Sequence, residues 1–159
     1  MIGLRRVALL ALAASICTPP HAQPEKTRQD HPSPDGKLIA TVIDVNKAHE
    51  SRLEIRSSAG KLLLVQDHSS TDMEHGQVIC RAAWTPDAEF FVFSMSNTGG
   101  HSPLGRPTWF YSRPQNRIYD LESAIGYITE CNFALQAPNW IITKSNGAQV
   151  RVALSTLVK

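Results

Sequence analysis

The sequence predicts an all-β fold, an antiparallel meander of two four-stranded repeats with part of a third. Three observations predict it: short apolar runs alternate with turn signals along the chain, helical periodicity is nearly absent, and one turn-plus-strand segment recurs at a fixed offset.

Residues 1–22 read as an export signal. Arg5 and Arg6 precede an apolar stretch from Val7 to Ile16, which Pro19-Pro20 ends and which is too short to span a bilayer. Cleavage is expected after Ala22, although Pro20 is a poor residue three positions before the cut. A twin-arginine signal lacks the rest of its pattern at Val7-Ala8, and Ile16 stands where a lipoprotein signal would need Gly, Ala or Ser before Cys17. The expected location is therefore outside the cytoplasm, periplasmic or secreted. About 137 residues remain, enough for one domain. Without Arg5 and Arg6 the sixteen basic residues fall to fourteen, equal to the acidic ones, which argues against general nucleic-acid or anionic-membrane binding. No later segment reaches transmembrane length, so no membrane span is expected.

Residues 23–34 are polar and marked by Pro24, Pro32 and Pro34, and read as an extended lead-in to a single domain over 35–159. Lys37–Val45 is apolar at both alternating positions and reads as a strand covered on both sides. Arg52–Arg56 alternates cleanly, and Ala59-Gly60 turns the chain into a strand over Leu62–Gln66. Further strands are expected over Val78–Trp84, Glu89–Met95, Thr108–Ser112 and Arg117–Leu121, with one helical turn over Asp120–Gly126.

The repeat is carried by Ser33-Pro34-Asp35-Gly36-Lys37-Leu38-Ile39-Ala40, which matches Thr85-Pro86-Asp87-Ala88-Glu89-Phe90-Phe91-Val92 at an offset of 52 residues. Ala137-Pro138-Asn139-Trp140 starts a degenerate third copy, giving repeats over about 33–75, 76–128 and 129–159. Proline presets the first turn residue, Asp or Asn bonds back to the backbone, and Gly permits positive φ. The first copy resembles the repeat signature of bacterial envelope β-propellers of the TolB type. That resemblance implies blade-like repeats and a binding role, and carries no catalytic residue. A closed propeller needs about four blades, so the chain is expected to assemble with copies or partners, or to curl into a compact β-sandwich.

Once the signal is removed, Cys80 and Cys131 remain. They read either as two buried thiols or as a disulfide, which would add about 4 kcal/mol by restricting the unfolded chain. The bridge requires local convergence of two strands, since packed sheets lie about 10 Å apart, and would favour the sandwich.

The glycine-rich loop over 96–107 is the candidate contact site for a protein or small ligand, through Asn97, Gly99, Gly100, His101, Ser102 and Arg106. Glycines let backbone approach a ligand, His and Ser offer polar contacts, and Arg offers an anion fork. A wide hairpin loop shaped by the same residues is the structural alternative. The connector Gln66–Gln77 gathers Asp67, His68, Asp72, Glu74 and His75, but their spacing matches no zinc site and a solvated loop explains them. His31 and His49 read as surface residues. Trp84, Trp109, Trp140, Phe90, Phe91 and Phe93 read as core rather than a carbohydrate platform. No nucleophile elbow, phosphate loop, dinucleotide glycine pattern or metalloprotease motif occurs, so no catalytic residue, metal or cofactor is assigned. The leading expectation is a non-catalytic binding module. Its rivals are a small hydrolase pairing His101 with a carboxylate of the 67–74 connector, and a structural subunit that completes an oligomeric propeller.

Overall fold

The two four-stranded meanders are organised by the recurring turn. Ser33 and Thr85 donate their hydroxyls to Asp35 and Asp87 at 2.7 and 2.6 Å, and accept from the amides of Leu38 and Phe90 at 3.0 and 3.1 Å. The same aspartates accept from Lys37 and Glu89. The two sequence copies are thus the same hydrogen-bonded object. Gly36 sits at φ 68° and Ala88 at φ 61°, so the second copy holds a methyl group where the first has none. A Cβ on Gly36 would meet nothing within 4 Å. Gly36→Ala should therefore cost about 1 kcal/mol from the backbone alone, read as a lower urea midpoint; an unchanged midpoint would contradict it.

The structure, a computed structural model, describes residues 27–99 and 105–158; the expected signal lies outside them. Strands β1 (Arg28–Pro32), β2 (Leu38–Asp44), β3 (Ser51–Ser57) and β4 (Leu62–Asp67) form one sheet in chain order. β5 (Gln77–Trp84), β6 (Phe90–Asn97), β7 (Thr108–Ser112) and β8 (Arg117–Asp120) form the second, and β9 (Ala134–Gln136), β10 (Trp140–Ser145) and β11 (Ala148–Ala153) the third. All pairings are antiparallel. The expected helical turn is α1 (Glu122–Ile125), where Asp120 accepts from the Glu122 amide at 2.9 Å and Gly126 ends the turn at φ 87°.

The second sheet is the middle layer. Phe91, Phe93, Met95 and Tyr111 pack against Leu38, Ala40, Val42, Leu53 and Ile55 of the first sheet. Phe90, Val92 and Phe110 pack the opposite way, with Leu121, Ile128, Phe133, Ile141 and Leu154. Both alternating faces of β6 are therefore buried, which is why its sequence is an unbroken apolar run; each buried Phe is worth roughly 2–3 kcal/mol of transfer free energy. The sheets stack face to face without closing into a barrel among the described residues.

Three expectations need correction and one refinement. The lead-in over 23–34 is not outside the fold, because β1 pairs along β2 from Arg28↔Ile43 to Pro32↔Ile39. β2 is covered on both sides, but among the described residues a sheet covers one of them only: outward, Thr41 bonds Asp30, and Glu54 is held between Arg52 and Arg56, so charge pairs close that face. Trp140 is not core; it is half-buried on the outward face of the third sheet, with the Arg151 guanidinium 4.2 Å over its ring. His31 is no free surface residue, for its ring tilts against Phe91 and its Nε2 is buried without a partner among the described residues.

Cys80 and Cys131 are bridged, with Cα atoms 6.2 Å apart. The required convergence comes from a β-bulge between Ile79 and Arg81, which swings Cys80 out of the ladder, and from Cys131 lying in the connection before β9 rather than in a strand.

Candidate functional site

Three loops meet at one end of the stack, and Glu50 joins them. Asn46 shapes the β2–β3 turn by accepting from the amides of Ala48 and Glu50, which delivers the Glu50 side chain inward, fully buried. One carboxylate oxygen accepts from Ser70 Oγ, the Gly76 amide and Thr98 Oγ1 at 2.8, 2.8 and 3.0 Å. The other accepts from Asn46 Nδ2 and the Ser70 amide at 2.7 and 2.8 Å. Burial pushes the carboxyl pKa up, but the donors from Ser70, Asn46 and Gly76 outweigh it and hold it at about 2. A Cβ on Gly76 would lie 2.2 Å from the Glu50 carboxyl carbon, so a side chain there would displace the clamped carboxylate.

The glycine-rich loop leaves β6 from this clamp. Asn97 accepts from Gln77 Nε2 at 3.2 Å, the Thr98 amide donates to Gly76 O at 3.0 Å, and Gly99 lies so close to the connector that a Cβ would stand 2.3 Å from Glu74 O. The returning root is equally close: a Cβ on Gly105 would meet the Tyr127 ring at 2.7 Å, and the Arg106 amide donates to Ile128 O at 2.7 Å. Tyr127 at the returning root and Met73, the chain neighbour of Glu74, are 41% and 50% exposed. Of the residues expected to make contacts, Asn97 and Gly99 sit at one root and Arg106 at the other; Gly100, His101 and Ser102 lie outside the described residues.

The polar connector does not act as one cluster. Asp67 accepts from the amide and hydroxyl of Ser69. Asp72 accepts from the Glu74 amide at 3.0 Å and pairs with His75 Nδ1 at 2.5 Å, so its carboxyl is held well below the usual range and the His75 imidazole is pushed up. His68 turns away and packs its ring 5.9 Å from Phe93 and 5.7 Å from Trp109, where burial lowers its pKa. His49 is exposed and pairs with Asp44 at 3.1 Å. Among the described residues no three His, Cys, Asp or Glu side chains are grouped to hold a metal ion.

No protein-family model matches the chain, and no curated protein does. Among the described residues no helix is long and apolar enough to cross a membrane.

Proposed function

We propose that this chain is an exported, non-catalytic interaction module of the cell envelope, with blade-like repeats, which contacts a protein partner through the loop over 96–107. One observation carries the reading: both loop roots are held by backbone contacts, Gly99 against the Glu74 carbonyl, too close for a Cβ, and Arg106 through its amide to Ile128 O, and the exposed Tyr127 and Met73, the latter next to Glu74 in the chain, flank them. A loop fixed at both ends and flanked by exposed apolar side chains is organised for recognition. The disulfide fits an oxidising compartment.

A photo-reactive amino acid at position 102 of the exported protein should give a discrete adduct on irradiation of cells, and one at Gln115, in the β7–β8 turn at the opposite end, should not. Replacing His101 and Arg106 together by alanine should abolish the adduct while moving the thermal midpoint by no more than about 2 °C. An adduct that survives the double substitution, or that forms equally from position 115, would overturn the reading. The hydrolase reading is favoured by the contact of Gly99 with Glu74, which brings loop and connector to one end of the sheets; loss of aryl-ester turnover in His101→Ala alone would support it instead.

A further inference from the structure

A second place in the fold has binding chemistry of its own. The bulge in β5 takes Arg81 out of regular alternation, and the bridge from Cys80 to Cys131 ties that bulge to the segment before β9. The Arg81 guanidinium carbon stands 5.0 Å from the centre of the Phe133 ring. Arg28, Arg52, Arg56 and Arg113 each pair with a carboxylate, whereas Arg81, like Arg117 and Arg151, has no carboxylate partner among the described residues and lies over an aromatic ring. Stacking uses the face of a guanidinium and leaves the N–H fork in its plane available for a bidentate acceptor.

Arg81 lines a hollow of about 350 Å³ whose apolar walls are Phe133, Ala134 and Ile142. Lys144 and Glu130, also in its lining, pair with each other at 2.8 Å, so their charges cancel and, among the described residues, no carboxylate pairs with Arg81. We propose that this hollow binds a small amphipathic carboxylate, its acid group on the Arg81 fork and its apolar body against Phe133 and Ile142. A neutral ligand would leave the guanidinium unpaired, whereas a carboxylate meets the one cation of the lining that no carboxylate of the described residues pairs. The disulfide and the bulge fix the backbone that carries the anchor.

The test is an NMR titration of the folded, oxidised protein with phenylacetate, using 2-phenylethanol as the neutral counterpart. Phenylacetate should give saturable shifts at Arg81 Nε–H and the Ile142 methyl groups, and the alcohol should bind at least about tenfold more weakly. Arg81→Gln should weaken phenylacetate about tenfold with the remaining spectrum unchanged, and Arg81→Lys should fall between, because an ammonium lacks the fork. Arg106→Ala should leave the titration unaltered, which separates this site from the loop over 96–107. Equal binding of the alcohol, undiminished binding by Arg81→Gln, or no saturable shift at these groups would overturn the proposal.

Discussion

Replacing Cys80 and Cys131 together by serine should lower the stability of the domain by about 4 kcal/mol, and its thermal midpoint by roughly 15 °C. The bridge closes a loop of 51 residues, and the stabilisation comes chiefly from the unfolded chain, which loses conformations when cross-linked. It also joins the edge of the middle sheet to the connection before β9, so the third sheet has a covalent tie besides its packing. Two signatures are expected in urea unfolding. The midpoint falls, and the slope rises, because an unfolded chain without the bridge is more expanded. A loss below about 1 kcal/mol would mean that the unfolded state is already restricted by residual structure. Reduction of the wild-type protein should reproduce the double variant.

The strands that can be read from the sequence are those whose alternation is enforced by a neighbouring sheet. Glu89–Met95 is unmistakable because Phe90 and Val92 bury one way and Phe91 and Phe93 the other. β1 is hidden for the opposite reason: it is a sheet edge, its residues are nearly all exposed, and a segment that buries little carries little pattern. The β10–β11 hairpin did leave a signal, since Asn146-Gly147 sit at φ 50° and 81°, the pair a two-residue hairpin requires. The apolar look of Lys37–Val45 misleads about its outward face, where Thr41 is buried by Arg28 and Asp30 rather than by another sheet. Outward on the third sheet stand Trp140, Ile142, Lys144 and Arg151. Among the described residues neither outer face carries the phenylalanines of the middle sheet.

The site is less readable than the fold, because its organising residue carries no local motif. Glu50 meets Asn46, Ser70, Gly76 and Thr98 at separations of 4, 20, 26 and 48 residues. No window of sequence contains that set, and a glutamate in a polar turn looks like any solvated one. The glycines were visible, but only the three-dimensional contact gives the reason for Gly76 and Gly99.

Glu50→Gln should cost about 3 kcal/mol, and the cost should depend on pH. The amide matches the carboxylate in size but turns an NH2 toward donors that had an acceptor, so at least one buried hydrogen bond becomes a clash of donors. The folded state holds the Glu50 pKa at about 2 against an ordinary 4.5. Between those values the unfolded chain binds the proton and the folded chain does not, so the contribution of Glu50 is complete above about pH 4.5 and is lost as the pH falls toward 2. Asp30, Asp35, Asp67 and Asp72 are also held below their ordinary range, so the acid slope of the wild type alone does not isolate Glu50. The difference between wild type and Glu50→Gln does: it should be constant near neutrality and shrink through the acid window. A difference independent of pH would assign the cost to packing instead of charge. Hydrogen exchange at the Ser70 and Gly76 amides should accelerate in the variant while the core of β6 stays protected, since the clamp joins loops and the Phe-lined layers lie beyond it. If the loop over 96–107 is the contact surface, partner capture should weaken in Glu50→Gln at a pH where the sheets remain folded, because its first root is fixed to Glu50 through Thr98.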